Sequence, residues 1–334
     1  MSAPSLTKLL QNENPPNVTL AKAAELSTIY LKSCNNVVDK ICEHIEENFP
    51  SNVGKIKNFI QGGSLGNGTA IYGREDVDSV IVVCFDYETS DVQELLMKHK
   101  SKSRKIMDTI EERLVNMVSF DLEVDDVTDS GITCNVKMPS GPLDLSVYVM
   151  ATFYADVNKA EIRNSIYEQL RGASAKDNDV YSSSLSQLQV DFIKNKNQQL
   201  KGLMKLVKFW VQKGFADNEN QSLPSPYLLE LVTVYCWEHA NSPETFKFAN
   251  AFRAVLMTLK DHQSMKAVWT KNYSWDTAQE FAHLERPPIV IDPANPTINL
   301  CRDCNAWSEI TRGADQTLKT PLLKNIASPK SVWN

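Results

Sequence analysis

The run Val77 to Phe85, VDSVIVVCF, constrains this chain more than any other segment. It is β-branched and almost continuously apolar, which is the pattern of a strand covered on both faces. Such a strand needs neighbours beside it and layers above and below. Candidate partner strands lie at Lys55 to Gln61, Phe120 to Val124, Ile132 to Met138 and Leu143 to Val149. Apolar positions at helical spacing from about Leu20 to Phe49, including Leu26, Ile29, Val37, Val38, Ile41 and Ile45, predict one long helix ending at Pro50. A further helical stretch runs to about Leu114.

From about Lys159 the pattern turns helical. Leu200, Leu203, Met204, Val207, Trp210 and Val211 share one buried helix face. Ser225-Pro226 has the form of an N-cap followed by proline at the first helical position, opening a helix over Tyr227 to Glu238. Another helix is expected over about Pro243 to Leu259. Ala173 to Asp179 and Ser182 to Ser184 are expected to be loop, and Pro288 to Ile291 a short strand leading into a proline-fixed turn. The expectation is an α+β chain in two lobes around a cleft, with residues 1–152 the sheet lobe and 153–334 the helical one.

Composition narrows the class. With 42% hydrophobic and 23% charged residues the chain is globular in usage, which argues against disorder or a coiled coil. The opening MSAPSLTKLLQNENPP has no apolar stretch for a signal peptide, and no later run approaches the length of a membrane span. Seven cysteines, scattered singly apart from Cys301 and Cys304, suit reduced thiols. A cytoplasmic location without membrane attachment is expected. A net charge of −6 means that any nucleic-acid partner needs a local basic patch.

The chemistry-bearing stretch is Gly62-Gly63-Ser64 followed by Gly73-Arg74 and Asp76-Val77-Asp78. Alternation along a strand puts Asp76 and Asp78 on one side. Paired carboxylates are unfavourable unless a cation sits between them, and hard divalent ions with oxygen ligands are the natural occupants. Asp144, on the polar side of the alternating Leu143 to Val147 strand, would supply a third carboxylate. Two Mg²⁺ ions about 3.5–4 Å apart can activate an attacking hydroxyl and stabilise the leaving oxygen of an in-line displacement at phosphorus. The glycine pair permits close backbone approach, so that amides and the Ser64 hydroxyl can hold nucleotide phosphates. Each motif alone is more often a turn or a solvated strand end; together, in this order, they reverse those odds.

The blocks GGSLGNGTAIYGREDVDSVIVV, LDLSVYV, LQVDFIKNKNQQLKGLMKLVKFW, LPSPYLLELVTVYCWE and RPPIVIDPANPTINL resemble those of the 2′-5′-oligoadenylate synthetases, in the polymerase-β-like nucleotidyltransferase superfamily. The resemblance spans about Gln61 to Leu300. It implies a two-lobed nucleotidyltransferase fold, with a mixed β-sheet and a spine helix facing a helical-bundle lobe. It implies that Asp76, Asp78 and Asp144 bind Mg²⁺, with Mn²⁺ a substitute, and that Gly63 and Ser64 lie at the donor phosphates. The implied reaction is attack of a 2′-hydroxyl on the α-phosphorus of ATP, which serves as donor and acceptor, with Asp144 assisting deprotonation and pyrophosphate released. Lys208 and Lys205 are implied as triphosphate contacts, although a stripe with Lys201 at helical spacing reads by itself as a solvated face. Tyr227 is implied beside the base.

Departures from that pattern concern the control of the site. Gln61 stands where a basic residue is expected, Val190 where an arginine is expected, and Pro226 where glutamine is usual. Duplex RNA is bound largely through phosphates, so the loss of two cations weakens such a surface. Lys194, Lys196 and Lys55 remain as RNA-contact candidates. Activation by double-stranded RNA is expected to be weak, altered or absent. Two alternatives stand beside this reading: a cyclic-dinucleotide synthase of the cyclic GMP-AMP synthase-like group, and a non-enzymatic nucleic-acid-binding module. Asp292 and the carboxylates Asp121, Glu123, Asp125 and Asp126 are read as structural or solvated.

Overall fold

The computed structural model describes residues 5–47, 49–72, 77–128, 130–139, 141–215, 221–282, 286–327 and 329–334. The expected first helix is interrupted. Short helices α1 (Leu6–Leu10) and α2 (Asn17–Ala21) precede α3 (Thr28–Glu46). The Ser27 side chain accepts from the Tyr30 amide and so starts a new helix. The buried stripe of α3 is Tyr30, Cys34, Val37, Val38, Ile41 and Ile45. Ile29, expected on that stripe, is 83% exposed, because it shares a face with Asn36 and Lys40.

Next come β1 (Lys55–Gly62), α4 (Gly63–Asn67), β2 (Val77–Asp86), α5 (Val92–Val115), β3 (Leu122–Val127), β4 (Ile132–Val136) and β5 (Leu145–Phe153). The sheet order is β1-β2-β5-β4-β3, with β2 and β5 parallel and the other pairs antiparallel. Strand β2 is covered on both faces, as its composition demands. Ile81, Val83 and Phe85 join the main core with α3 and α5, while Val82 and Cys84 form a smaller cluster with Ile60 and Val190.

The remainder is mostly helical: α6 (Ala160–Leu170), α7 (Ala175–Ser184), α8 (Ser186–Lys194), α9 (Gln198–Gly214), α10 (Pro226–His239) and α11 (Phe248–Lys260). Strand β6 (Lys266–Ala267), α12 (Trp275–Ala282), β7 (Ile289–Val290), α13 (Trp307–Leu318) and α14 (Pro321–Lys324) follow. Helix α10 starts as expected, with the Ser225 side chain accepting from the Leu228 amide. Helix α7 replaces the expected loop. Ser174 caps it, Ser183 and Ser184 bond back to the carbonyls of Asp179 and Tyr181, and Tyr181 packs edge-on against Phe153. Helix α11 starts later than expected, and the strand near Pro288 shrinks to β7, which pairs in parallel with β6.

A second core gathers α9, α10, α11, α13 and α14. Leu9 and Leu20 join it from the N-terminal segment, whereas Ile166, Tyr167, Leu170 and Tyr181 belong to the sheet core. Residues on both sides of position 152 therefore contribute to both cores. Among the described residues no helix is long and apolar enough to cross a membrane.

Candidate active site

The site is built where β1 turns into α4 against the start of β2. Gly63 has φ +71°, and a Cβ there would sit 2.8 Å from Asp78 Oδ2 and 3.0 Å from the Ser79 backbone. Only glycine lets the turn dock this closely. The Ser64 amide donates to Asp78 Oδ2 at 2.7 Å, and the Ser64 hydroxyl donates to Asp78 Oδ1. The two Ser64 donors expected to be open for phosphate are thus engaged with Asp78, which they hold in one orientation.

Asp144 lies one residue before β5 and not inside it, a correction to its expected place on the strand. Its carbonyl accepts from the Val77 amide at 3.1 Å, which carries the parallel β2–β5 pairing one step back from the Val77–Leu145 register. Its Oδ1 accepts from the Met138 amide at 3.0 Å, and Tyr30 of α3 donates to the neighbouring Leu143 carbonyl at 2.6 Å. Asp78 and Asp144 thus occupy adjacent strand starts. Asp76, expected beside them, lies outside the described residues. Among the described residues no group of three His, Cys, Asp or Glu side chains is placed to hold a metal ion. The donor chemistry nevertheless fits a hard divalent cation, since carboxylate oxygens are the ligands such an ion prefers.

Helices α9 and α10 form the opposite wall. Lys201 and Lys208 are buried and Lys205 is half-buried, so the stripe is not a solvated face. Lys208 Nζ lies 3.0 Å from Glu230 Oε1 and 3.2 Å from Thr69 Oγ1. Thr69 donates to Glu230 Oε1 at 2.5 Å, and the Asn67 amide donates to Oε2 at 3.2 Å. Lys201 donates to the Lys194 carbonyl at 2.8 Å. Burial pulls the Lys205 and Lys201 ammonium groups below their ordinary range. Sequence reasoning missed Glu230, whose signal was a charge within the apolar run Leu228 to Val232.

Between the walls lies a cavity of about 280 Å³, lined by Ile60, Val80, Val82, Gln189, Val190 and Tyr227 among others. An adjoining opening of about 230 Å³ brings together Ser64, Asp78, Lys208 and Pro226. The Tyr227 phenol oxygen is buried without a hydrogen-bond partner among the described residues, and desolvation raises its pKa well above the ordinary value. Asp292 has the structural role expected of it, with Oδ1 accepting from the Ala294 and Asn295 amides. Its Oδ2 accepts from Gln189 Nε2 at 2.6 Å. Burial, opposed by these donors, pushes the Asp292 carboxyl up to about 6.

Of the RNA-contact candidates, Lys55 and Lys194 are exposed. Lys196 is drawn inward, 3.6 Å from Glu238 and over the rings of Phe192 at 4.4 Å and Trp237 at 5.4 Å. Gln61 donates to Asn35 of α3 at 3.0 Å, and Val190 is buried against Ile60 and Val82. Asp121, Glu123, Asp125 and Asp126 are exposed.

The family described as 2′-5′-oligoadenylate synthetase 1, domain 2, C-terminus, matches residues 159–334. The chain is 30% identical to 2′-5′-oligoadenylate synthase 2 of Bos taurus over 91% of its own length and 43% of the relative's. It is 31% identical to 2′-5′-oligoadenylate synthase 3 of Mus musculus over 85% of its length and 26% of the relative's. The chain thus spans less than half of these two relatives. Against 2′-5′-oligoadenylate synthase 1A of Mus musculus it is 26% identical, covering 92% of itself and 88% of the relative. In fold it is similar to CdnC of E. coli MS115-1 in complex with HORMA-deltaN, with a TM-score of 0.59 at 15% identity, covering 91% and 88% of the two chains. It is also similar to the CD-NTase CdnG of Bradyrhizobium diazoefficiens in complex with GTP, with a TM-score of 0.52 at 12% identity, covering 92% and 89%.

Proposed function

The chain belongs to the 2′-5′-oligoadenylate synthetase family, and on that premise we propose that it joins ATP into 2′-5′-linked oligoadenylates in the cytoplasm, as part of innate antiviral-type signalling. The observation that carries this reading is the Gly63–Ser64 turn docked on Asp78 beside the Asp144 strand start. Asp78 and Asp144, with Asp76 preceding Val77 in the chain, are the residues that would hold Mg²⁺. When bound, the metal would polarise the α-phosphate and lower the pKa of the attacking 2′-hydroxyl.

The chain's own groups supply the rest. Gly63 and Ser64 give the backbone wall for the donor phosphates, and Lys208 reaches the same opening as Ser64 and Asp78. Lys205 adds positive charge one helical turn away on α9. Asp144, held by the Met138 amide, takes the proton of the attacking hydroxyl. Tyr227 and the apolar wall of Ile60, Val80, Val82 and Val190 give the base a dry surface. Residues 1–152 and 153–334 supply the two sides of the cleft. Activation by duplex RNA is weak, altered or absent, because Gln61 is tied to Asn35, Val190 is buried, and Lys196 is held over two rings, leaving Lys194 and Lys55 as the remaining contact candidates.

The test is incubation with ATP, then ATP plus GTP, in Mg²⁺ and separately in Mn²⁺, with and without duplex RNA. Products are identified by mass spectrometry and linkage-specific nucleases. Linear 2′-5′ oligoadenylates are the expected product; a cyclic dinucleotide would move the chain to the second enzyme class, and no product under any condition would overturn catalysis.

A further inference from the structure

Resting on the nucleotidyltransferase reading above, we propose that Gln189 selects the nucleobase, presenting its amide oxygen to an exocyclic amine such as N6 of adenine, with Asp292 fixing that orientation. The cavity beside Tyr227 is apolar along Ile60, Val80, Val82 and Val190, a surface suited to the face of a purine but blind to its edge. Gln189 lines the same cavity from α8. Pro226, on the same lining, has no side-chain polar group with which to read a base.

An amide can turn over and exchange donor for acceptor, so a glutamine reads a base edge only when something fixes it. Here Gln189 Nε2 donates to Asp292 Oδ2 at 2.6 Å, and a carboxylate only accepts. The NH₂ group must therefore face Asp292, which turns the amide oxygen away from it. Asp292 cannot follow a rotating partner. It is 1% exposed, its Oδ1 accepts from the Ala294 and Asn295 amides at 2.7 and 3.2 Å, and its carbonyl accepts from the Tyr273 hydroxyl at 2.8 Å. Asn67 also lines the cavity, but its amide nitrogen is committed to Glu230 on the Lys208 side.

An acceptor held in place favours adenine, whose N6 donates, over hypoxanthine, whose O6 would set two acceptors face to face. One satisfied hydrogen bond exchanged for one opposed amounts to about tenfold or more in affinity. Asp292→Asn makes a sharp test. The isosteric amide keeps an oxygen for the Ala294 and Asn295 amides and places an NH₂ where Oδ2 was, so Gln189 must turn over and offer its own NH₂ to the base.

The experiment measures equilibrium binding of the α,β-methylene analogues of ATP and ITP to the full chain in Mg²⁺, for wild type, Gln189→Met and Asp292→Asn. Wild type is expected to prefer the adenine analogue by about tenfold or more. Gln189→Met should bring the two affinities together, and Asp292→Asn should reverse the preference. Equal binding in wild type, binding of neither analogue, or a preference that survives in Gln189→Met would overturn the assignment. If Asp292→Asn fails to fold, Gln189→Met decides alone. Product formation from ATP is followed in parallel: its absence counts against the nucleotidyltransferase reading, while base preference in binding stands or falls by itself.

Discussion

Lys208 Nζ sits 3.0 Å from Glu230 Oε1 with side-chain exposures of 5% and 2%, and the threonine and asparagine that complete the cluster, Thr69 and Asn67, come from the sheet side of the cleft. This dry ion pair ties α9 to α10 within one wall, and its hydrogen bonds to Thr69 and Asn67 make the cluster a joint to the sheet side. Removing either partner leaves a buried charge without its counterpart, which typically costs about 3–5 kcal/mol. Glu230→Ala is expected to destabilise the protein on that scale in chemical denaturation. The double variant with Lys208→Met should recover part of the loss, and a single variant as stable as wild type would refute the joint.

Gly63 is irreplaceable for two independent reasons: its positive φ, and the 2.8 Å approach that a Cβ would make to Asp78 Oδ2. Gly63→Ala is expected to cost about 1–3 kcal/mol and to displace the Asp78 carboxylate. Activity should fall further than thermal stability does, which parallel melting and ATP-turnover measurements would reveal.

Asp144→Asn keeps the shape of the side chain and an oxygen for the Met138 amide while removing the negative charge. Turnover of ATP is expected to fall by about a hundredfold or more with an unchanged melting temperature. Retained turnover would remove Asp144 from the site.

His99 of α5 is buried beneath the sheet lobe, with its Nδ1 3.0 Å from the Tyr87 hydroxyl. Burial pushes its pKa down from 6.5 to about 4. The unfolded chain takes up this proton near pH 6.5, whereas the folded chain resists until about pH 4, so this contribution to stability is full above pH 6.5 and is lost as pH falls between those values. The total is roughly 3 kcal/mol at the usual 1.36 kcal/mol per unit. His99→Gln should flatten that acid limb in urea titrations, and an unchanged limb would assign it to other groups.

Much of the framework was legible from local pattern. The run from Val77 to Phe85 demanded cover on both faces, and Ser225-Pro226 marked a helix start, because strand alternation and capping are decided within a few residues of chain. Glycine spacing and the carboxylates pointed to the site for the same reason. Other features were settled by residues distant in sequence. The serine-rich segment before Leu185 is a helix because Tyr181 finds Phe153, and Lys208 of α9 leaves solvent because Glu230 and Thr69 receive it across 22 and 139 positions. Gln189 meets Asp292 across 103 positions. Composition and periodicity describe what a segment can bury or cap; which buried charge meets which partner depends on how the two walls close, and only the tertiary structure decided that.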